Sequence, residues 1–184
     1  MQRIEALNPE TTTGKSKELF DGVQKKLGMV PNLMRTMGVS PAVLGGYLAL
    51  SDALSKSSVG GKLSELIALT VANVNGCDYC NAAHSFIGEK LAGIQPAEIK
   101  AAREGRSANA KEEAALTFAK KVVQARGHVS DQDVQEVKDA GYSEAQVAEI
   151  IALTSLNILT NYFNNVALVE VDFPKVELAE VAAV

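Results

Sequence analysis

Residues 65–83 read ELIALTVANVNGCDYCNAA, and residues 149–167 read EIIALTSLNILTNYFNNVA. Laid over one another at an offset of 84 positions (149 − 65), they share Glu, Ile, Ala, Leu, Thr, Asn, Asn and Ala at matching places. Their apolar residues recur at helical spacing, and neither stretch alternates with the period of two that marks a half-buried strand. Polar residues that recur together with apolar ones, at one fixed offset, point to two copies of a single helical unit. The copies differ where chemistry is concentrated. Cys77 lies over Asn161, Cys80 over Asn164 and His84 over Leu168, so only the first copy carries a reactive set.

The flanking segments carry helix punctuation. TTTGKSKELFDGVQKKLG opens on threonine caps and closes on Gly28, and Asn32 is expected to cap a short helix after Pro31. Ser40 and Pro41 open the next segment as N-cap and first-turn proline. Ser130 opens and Gly141 stops another, and the Ser143/Gln146 pair forms a capping box for the last long one. The expectation is about nine helices and no sheet. That is an all-α fold in one domain, 1–184, with repeat-like cores at about 40–100 and 110–170. Residues 170–184, EVDFPKVELAEVAAV, read as an extended tail whose apolar residues need a surface to cover, on this subunit or on a neighbour.

Composition narrows the function classes. Hydrophobic residues make up 47% of the chain but aromatic ones only 5%, so the core is built from Ala, Leu, Val and Ile, which favours helix. The net charge of −4 is not interrupted by any Lys/Arg cluster, which argues against nucleic acid as a partner. No apolar run approaches the ~20 residues that span a bilayer. The opening MQRIEALNPETTTGK lacks the apolar centre of a secretory signal. A cytoplasmic protein is expected. In that compartment a pair of cysteines is more often reactive or metal-binding than a structural staple.

Both cysteines and one of the two histidines fall within residues 77–84. Three readings of Cys77, Cys80 and His84 stand side by side. In the redox reading, Cys-x-x-Cys opens a helix, whose N–H groups stabilise a thiolate. Cys80 and His84, four residues apart, then share a helix face and exchange a proton. In the zinc reading they are three of the four ligands a structural site usually needs, and His128, in a loop, is the only soft candidate left. In the third reading the cysteines are small core hydrophobes and His84 is a satisfied buried histidine. Glu65 has two readings of its own. The bare sequence favours a surface carboxylate in a first helical turn; the alternative is an inward carboxylate that moves a proton.

Glu65, eleven intervening residues, Cys77-Asp78-Tyr79-Cys80 and then His84 resemble the active-site pattern of the AhpD-like alkylhydroperoxidases, in the carboxymuconolactone decarboxylase superfamily. LGMVPNLMRTMGVSPAVL and NYFNNVALVEVDFP are similar to the peroxidase-related branch, so the likeness spans nearly the whole chain. The resemblance implies an all-helical AhpD-like fold, often duplicated, and a homo-oligomer (trimer, dimer or hexamer) without cofactor or metal. It implies a peroxidase in which Cys80 attacks a hydroperoxide, Cys77 resolves the product as a disulfide, and Glu65 and His84 relay the proton. A thiol or lipoyl-type donor would reduce the pair. Tyr79 stands where some relatives have a histidine that assists the first cysteine. A phenol, with an ordinary pKa near 10, donates a hydrogen bond but is a poor base at pH 7. Asp78, if close, would oppose a thiolate on Cys77. Two other roles share the resemblance: a disulfide-exchange adaptor serving a separate peroxidase, and a decarboxylase-like enzyme, the latter disfavoured by the paired cysteines.

Overall fold

The computed structural model describes residues 1–176. They form α1 (Gly14–Leu27), α2 (Asn32–Met37), α3 (Pro41–Leu54), α4 (Gly61–Val74), α5 (Asp78–Lys90), α6 (Pro96–Arg103), α7 (Ala110–Gln124), α8 (Asp131–Asp139) and α9 (Glu144–Ala167). Among the described residues there is no strand, as the helical periodicity leads one to expect. No helix among them is long and apolar enough to cross a membrane.

α4 is the central element. From Leu66 to Asn73 every residue is buried, because α4 packs against α5, α6, α7 and α9 at once. Such a helix tolerates few polar side chains, and each one present has a partner. Thr70 returns its hydroxyl to Leu66 O at 3.0 Å and also reaches Ala102 O at 2.6 Å. Thr154, at the matching place in α9, does the same to Ile150 O at 2.8 Å. Glu149, over Glu65 in the offset, accepts from Ser58 N and Oγ and from Val59 N, and so ties down the loop that enters α4.

The two stretches part company at Gly76. There φ is +59°, a left-handed conformation that glycine adopts at little cost. Cys77 N bonds back to Ala72 O at 2.9 Å, closing α4 with a Schellman turn. At the matching place α9 has Thr160, and the helix runs on for its full 24 residues. The stretch from Glu65 is therefore broken into α4 and α5 just where the cysteines begin. Cys77 is at once the residue that ends α4 and the N-cap of α5.

Ser130 and Ser143 both form reciprocal capping boxes, whereas Thr13 and Ser40 hold the N-cap positions of α1 and α3 without a side-chain cap bond. Asn32 does not cap α2. It is the first helical residue, and Pro31 holds the cap position with no side-chain oxygen to offer. Asp172 fills that role from 140 residues away, its Oδ2 accepting from Asn32 N at 2.8 Å. Asn32 Nδ2 in turn donates to Glu170 O. The described part of the tail is thus clamped over α2, and Phe173 sits edge-on to Tyr79 (centroids 5.7 Å, 89°) and tilted against Phe86. That portion covers this subunit; residues 177–184 of the tail lie outside the described residues.

Candidate active site

Cys77 and Cys80 are unbridged and buried in a hydrophobic cluster with Phe20, Leu33, Met37 and Leu44. The N-cap position of Cys77 is occupied by sulfur instead of oxygen: Cys77 Sγ accepts from Cys80 N at 3.3 Å. One turn on, Asn164 Nδ2 donates to Cys80 Sγ at 3.1 Å.

His84 and Glu65 meet across the α4–α5 packing, His84 Nδ1 lying 2.8 Å from Glu65 Oε2. The surface reading of Glu65 is thereby corrected. The α4–α5 turn brings α5 alongside α4, and the carboxylate that looked like an exposed first-turn residue is engaged by a histidine nineteen positions later. Burial disfavours the His84 cation, but the carboxylate of Glu65 and the sulfur of Cys80 outweigh it and raise the imidazole pKa. With Nδ1–H given to Glu65, Nε2 is the ring nitrogen left to exchange a proton.

The two thiols are driven apart in acidity. Burial pushes the Cys80 thiol up, but hydrogen bonding from Cys77, the positive charge of His84 and the amides of Asn164 and Asn161 together bring it down to about 7. The Cys77 thiol is pushed up, first by its hydrogen bond to Cys80 and then by burial and the neighbouring sulfur's charge. Two like groups in contact ionise one at a time, and here the environment selects Cys80.

Cys80 and His84 open into a cavity of about 210 Å³. Its walls include Leu33, Tyr47, Tyr79, Phe86 and Phe173, and among the described residues none that lines it is Asp, Glu, Lys or Arg. A second cavity, also about 210 Å³, lies on the Glu65 side and is more polar, with Ser51, Ser55, Ser64 and Asn157 in its walls. Tyr47, His84 and Thr160 line both and form the partition between them.

The sequence-derived residues fall into two groups. Glu65, Cys77, Cys80 and His84 come together as one set. Tyr79 lines the apolar cavity, but its hydroxyl is engaged elsewhere, accepting from Leu33 N at 3.1 Å. Burial raises its pKa, so it remains a neutral phenol. Asp78 is exposed in the first turn of α5. His128 is exposed in the loop after α7, and no group of three or more His, Cys, Asp or Glu among the described residues is placed to hold a metal. Sequence reasoning misses Tyr47, Asn161 and Asn164 as site residues. Tyr47 sits in an apolar run with nothing to distinguish it; burial, with the charges of Cys80 and Glu65, pushes its hydroxyl up to about 12. The asparagines carry one signal: in the 84-residue offset they lie over Cys77 and Cys80.

The profile of the carboxymuconolactone decarboxylase family matches residues 41–125, the segment that holds α3 to α7 and all four members of the set. That segment of the chain is similar to the carboxymuconolactone decarboxylase family. The chain's fold is shared with several proteins of known structure. An uncharacterized peroxidase-related protein from Silicibacter sp. TM1040 superposes with a TM-score of 0.81 at 22% identity, covering 92% of this chain and 91% of that one. An alkylhydroperoxidase AhpD core protein from Ralstonia eutropha JMP134 superposes with a TM-score of 0.82 at 24% identity, covering 93% and 92%. The debrominase Bmp8 superposes with a TM-score of 0.77 at 24% identity, covering 92% and 91%. No curated protein sequence matches this chain.

Proposed function

We propose that the protein is a thiol-dependent peroxidase that reduces apolar alkyl hydroperoxides through a Cys77–Cys80 dithiol/disulfide cycle. Glu65 and His84 supply the proton relay. One observation carries the reading: a sulfur whose acidity is raised by its surroundings faces a cavity with no Asp, Glu, Lys or Arg among the described residues of its walls, beside an imidazole held by a carboxylate.

In the first step the Cys80 thiolate attacks the terminal oxygen of ROOH. The S–O bond forms, the O–O bond breaks, and the departing alkoxide takes a proton from His84 to leave as ROH. Glu65 steadies the imidazolium that gives up this proton. In the second step the thiol of Cys77 condenses with the Cys80 sulfenic acid, giving the disulfide and water. Both sulfurs are buried, so the two electrons that reopen the cycle come from a slender dithiol, such as a lipoyl-type arm, that reaches down the cavity. The same burial disfavours an adaptor that must dock on a bulky protein disulfide. Among the described residues, an acid substrate for decarboxylation would lack a Lys or Arg to meet it in the walls of the Cys80 cavity. In this reading the enzyme works in the cytoplasm. It assembles as a homo-oligomer, supported by the exposed apolar row of Ile151, Leu159, Tyr162 and Val166 along one face of α9.

The test is peroxide consumption by the reduced protein with a small dithiol. Cumene hydroperoxide is expected to be reduced with a kcat/KM at least about tenfold above that for hydrogen peroxide, since burying a phenyl and its methyls is worth more than about 1.4 kcal/mol. Equal constants for the two peroxides would contradict the apolar assignment, and no consumption of either would contradict the activity.

A second reading has its own observation. Four aromatic rings, Tyr47, Tyr79, Phe86 and Phe173, line the Cys80 cavity and suit a flat ring. The likeness of the fold to a debrominase makes reductive dehalogenation of an aromatic the competing reaction, with ArBr and two thiols giving ArH, a disulfide and bromide with its proton.

A further inference from the structure

The second copy of the repeat returns to the site. Asn164 lies over Cys80 in the 84-residue offset and also touches it: Asn164 Nδ2 donates to Cys80 Sγ at 3.1 Å, with both residues buried. Asn161, three residues earlier and therefore on the same face of α9, faces the same sulfur. Its Oδ1 is fixed by Asn75 Nδ2 at 2.9 Å, and its own Nδ2 has no protein partner. Asn164 Oδ1 is likewise buried without a partner.

Buried polar atoms left unpaired are costly and call for an explanation. Were Asn161 there only to satisfy the interior, its amide nitrogen would not be left without a partner beside the sulfur. A neutral thiol is a weak acceptor, whereas a thiolate is charged, and hydrogen bonds to charged groups are roughly twice as strong. The geometry therefore matches the ionised sulfur. We propose that Asn164 and Asn161 form a two-amide cradle that holds the Cys80 sulfur as a thiolate, Asn164 as the direct donor and Asn161 as the second amide. The inference rests on the reading of Cys80 as the nucleophile. The two halves of the repeat then divide the chemistry between them. The first supplies the sulfur and its base, and the second supplies the donors that stabilise the sulfur's charge.

The test reads ionisation without any peroxide. The rate of Cys80 alkylation by iodoacetamide is followed against pH in the reduced wild type and in Asn164→Leu. The midpoint is expected to rise by about one to two pH units, so that the rate at pH 6 falls about 10- to 100-fold. Thr154→Val, which removes a buried hydroxyl elsewhere on α9, controls for loss of stability and is expected to leave the midpoint in place. A folded Asn164→Leu protein with the wild-type midpoint overturns the proposal. Should that variant not fold, the wild-type protein decides. The side-chain amide protons of Asn164 are expected to shift in NMR spectra with the Cys80 midpoint, and resonances indifferent to pH across that range overturn the proposal. A protein that shows the midpoint shift but consumes no hydroperoxide keeps the cradle and loses the peroxidase.

Discussion

Cys80→Ser is expected to reduce hydroperoxide turnover by at least about 10³-fold, to background, while the protein stays folded. The expectation follows from the division between the two sulfurs. Cys80 is the one brought toward ionisation, by Cys77, His84 and the α9 amides, whereas Cys77 is held as a thiol. A serine hydroxyl at the same place ionises far above neutral pH and cannot be the nucleophile. Serine is close in size to cysteine, so the core that holds Cys80 loses little packing. Cys77→Ser has a different signature: one equivalent of peroxide consumed, a sulfenic acid on Cys80 that dimedone traps, and then a halt. Wild-type turnover in Cys80→Ser contradicts the assignment of the nucleophile. A first turnover lost equally in both variants contradicts the order of the two steps.

Glu65→Gln is expected to lower kcat/KM at pH 7 on the order of 100-fold, within the range general acid–base groups contribute. The direction on each side of the pH profile follows from the shifts. Glu65 is a main cause of the raised His84 pKa, so the amide lets that pKa fall and the imidazolium is lost at lower pH. His84's charge is in turn one of the influences that bring Cys80 down to about 7, so in the variant the Cys80 pKa rises. The rising limb of the profile, which tracks thiolate, moves to higher pH. The falling limb, which tracks the protonated histidine, moves to lower pH. The result is a narrower and lower bell. An unchanged profile with an unchanged maximum means that the 2.8 Å contact between Glu65 and His84 has no part in the chemistry.

Much of the helical layout is legible in the sequence because its signals are local. Helical spacing, the Ser130 and Ser143 capping boxes and the positive-φ glycines each act within a few residues. What the sequence hides is whatever joins distant segments. Asn32 carries a residue type that caps helices, yet the cap of α2 comes from Asp172, whose place beside it depends on the course of α9 and the tail. Glu65 has the look of an exposed first-turn carboxylate until α5 folds back alongside α4 and presents His84. The Cys77-x-x-Cys80 pair reads directly, since a three-residue spacing at a helix start is local geometry. The donor to Cys80 does not read directly, because Asn164 approaches from another helix and an asparagine in an apolar helix has no distinctive pattern. Only the 84-residue offset hints at it, by setting Asn164 in the place of Cys80. Tyr79 shows the converse. It is conspicuous between the cysteines, and its hydroxyl is spent on the backbone of Leu33.

The most direct measurement of the central claim is the mass and free-thiol content of the reduced wild-type protein, before and after one equivalent of an organic hydroperoxide, with no donor present. The account predicts loss of both thiols and a decrease of about 2 Da, the signature of a disulfide between Cys77 and Cys80. Two intact thiols and an unchanged mass in the folded protein would contradict it.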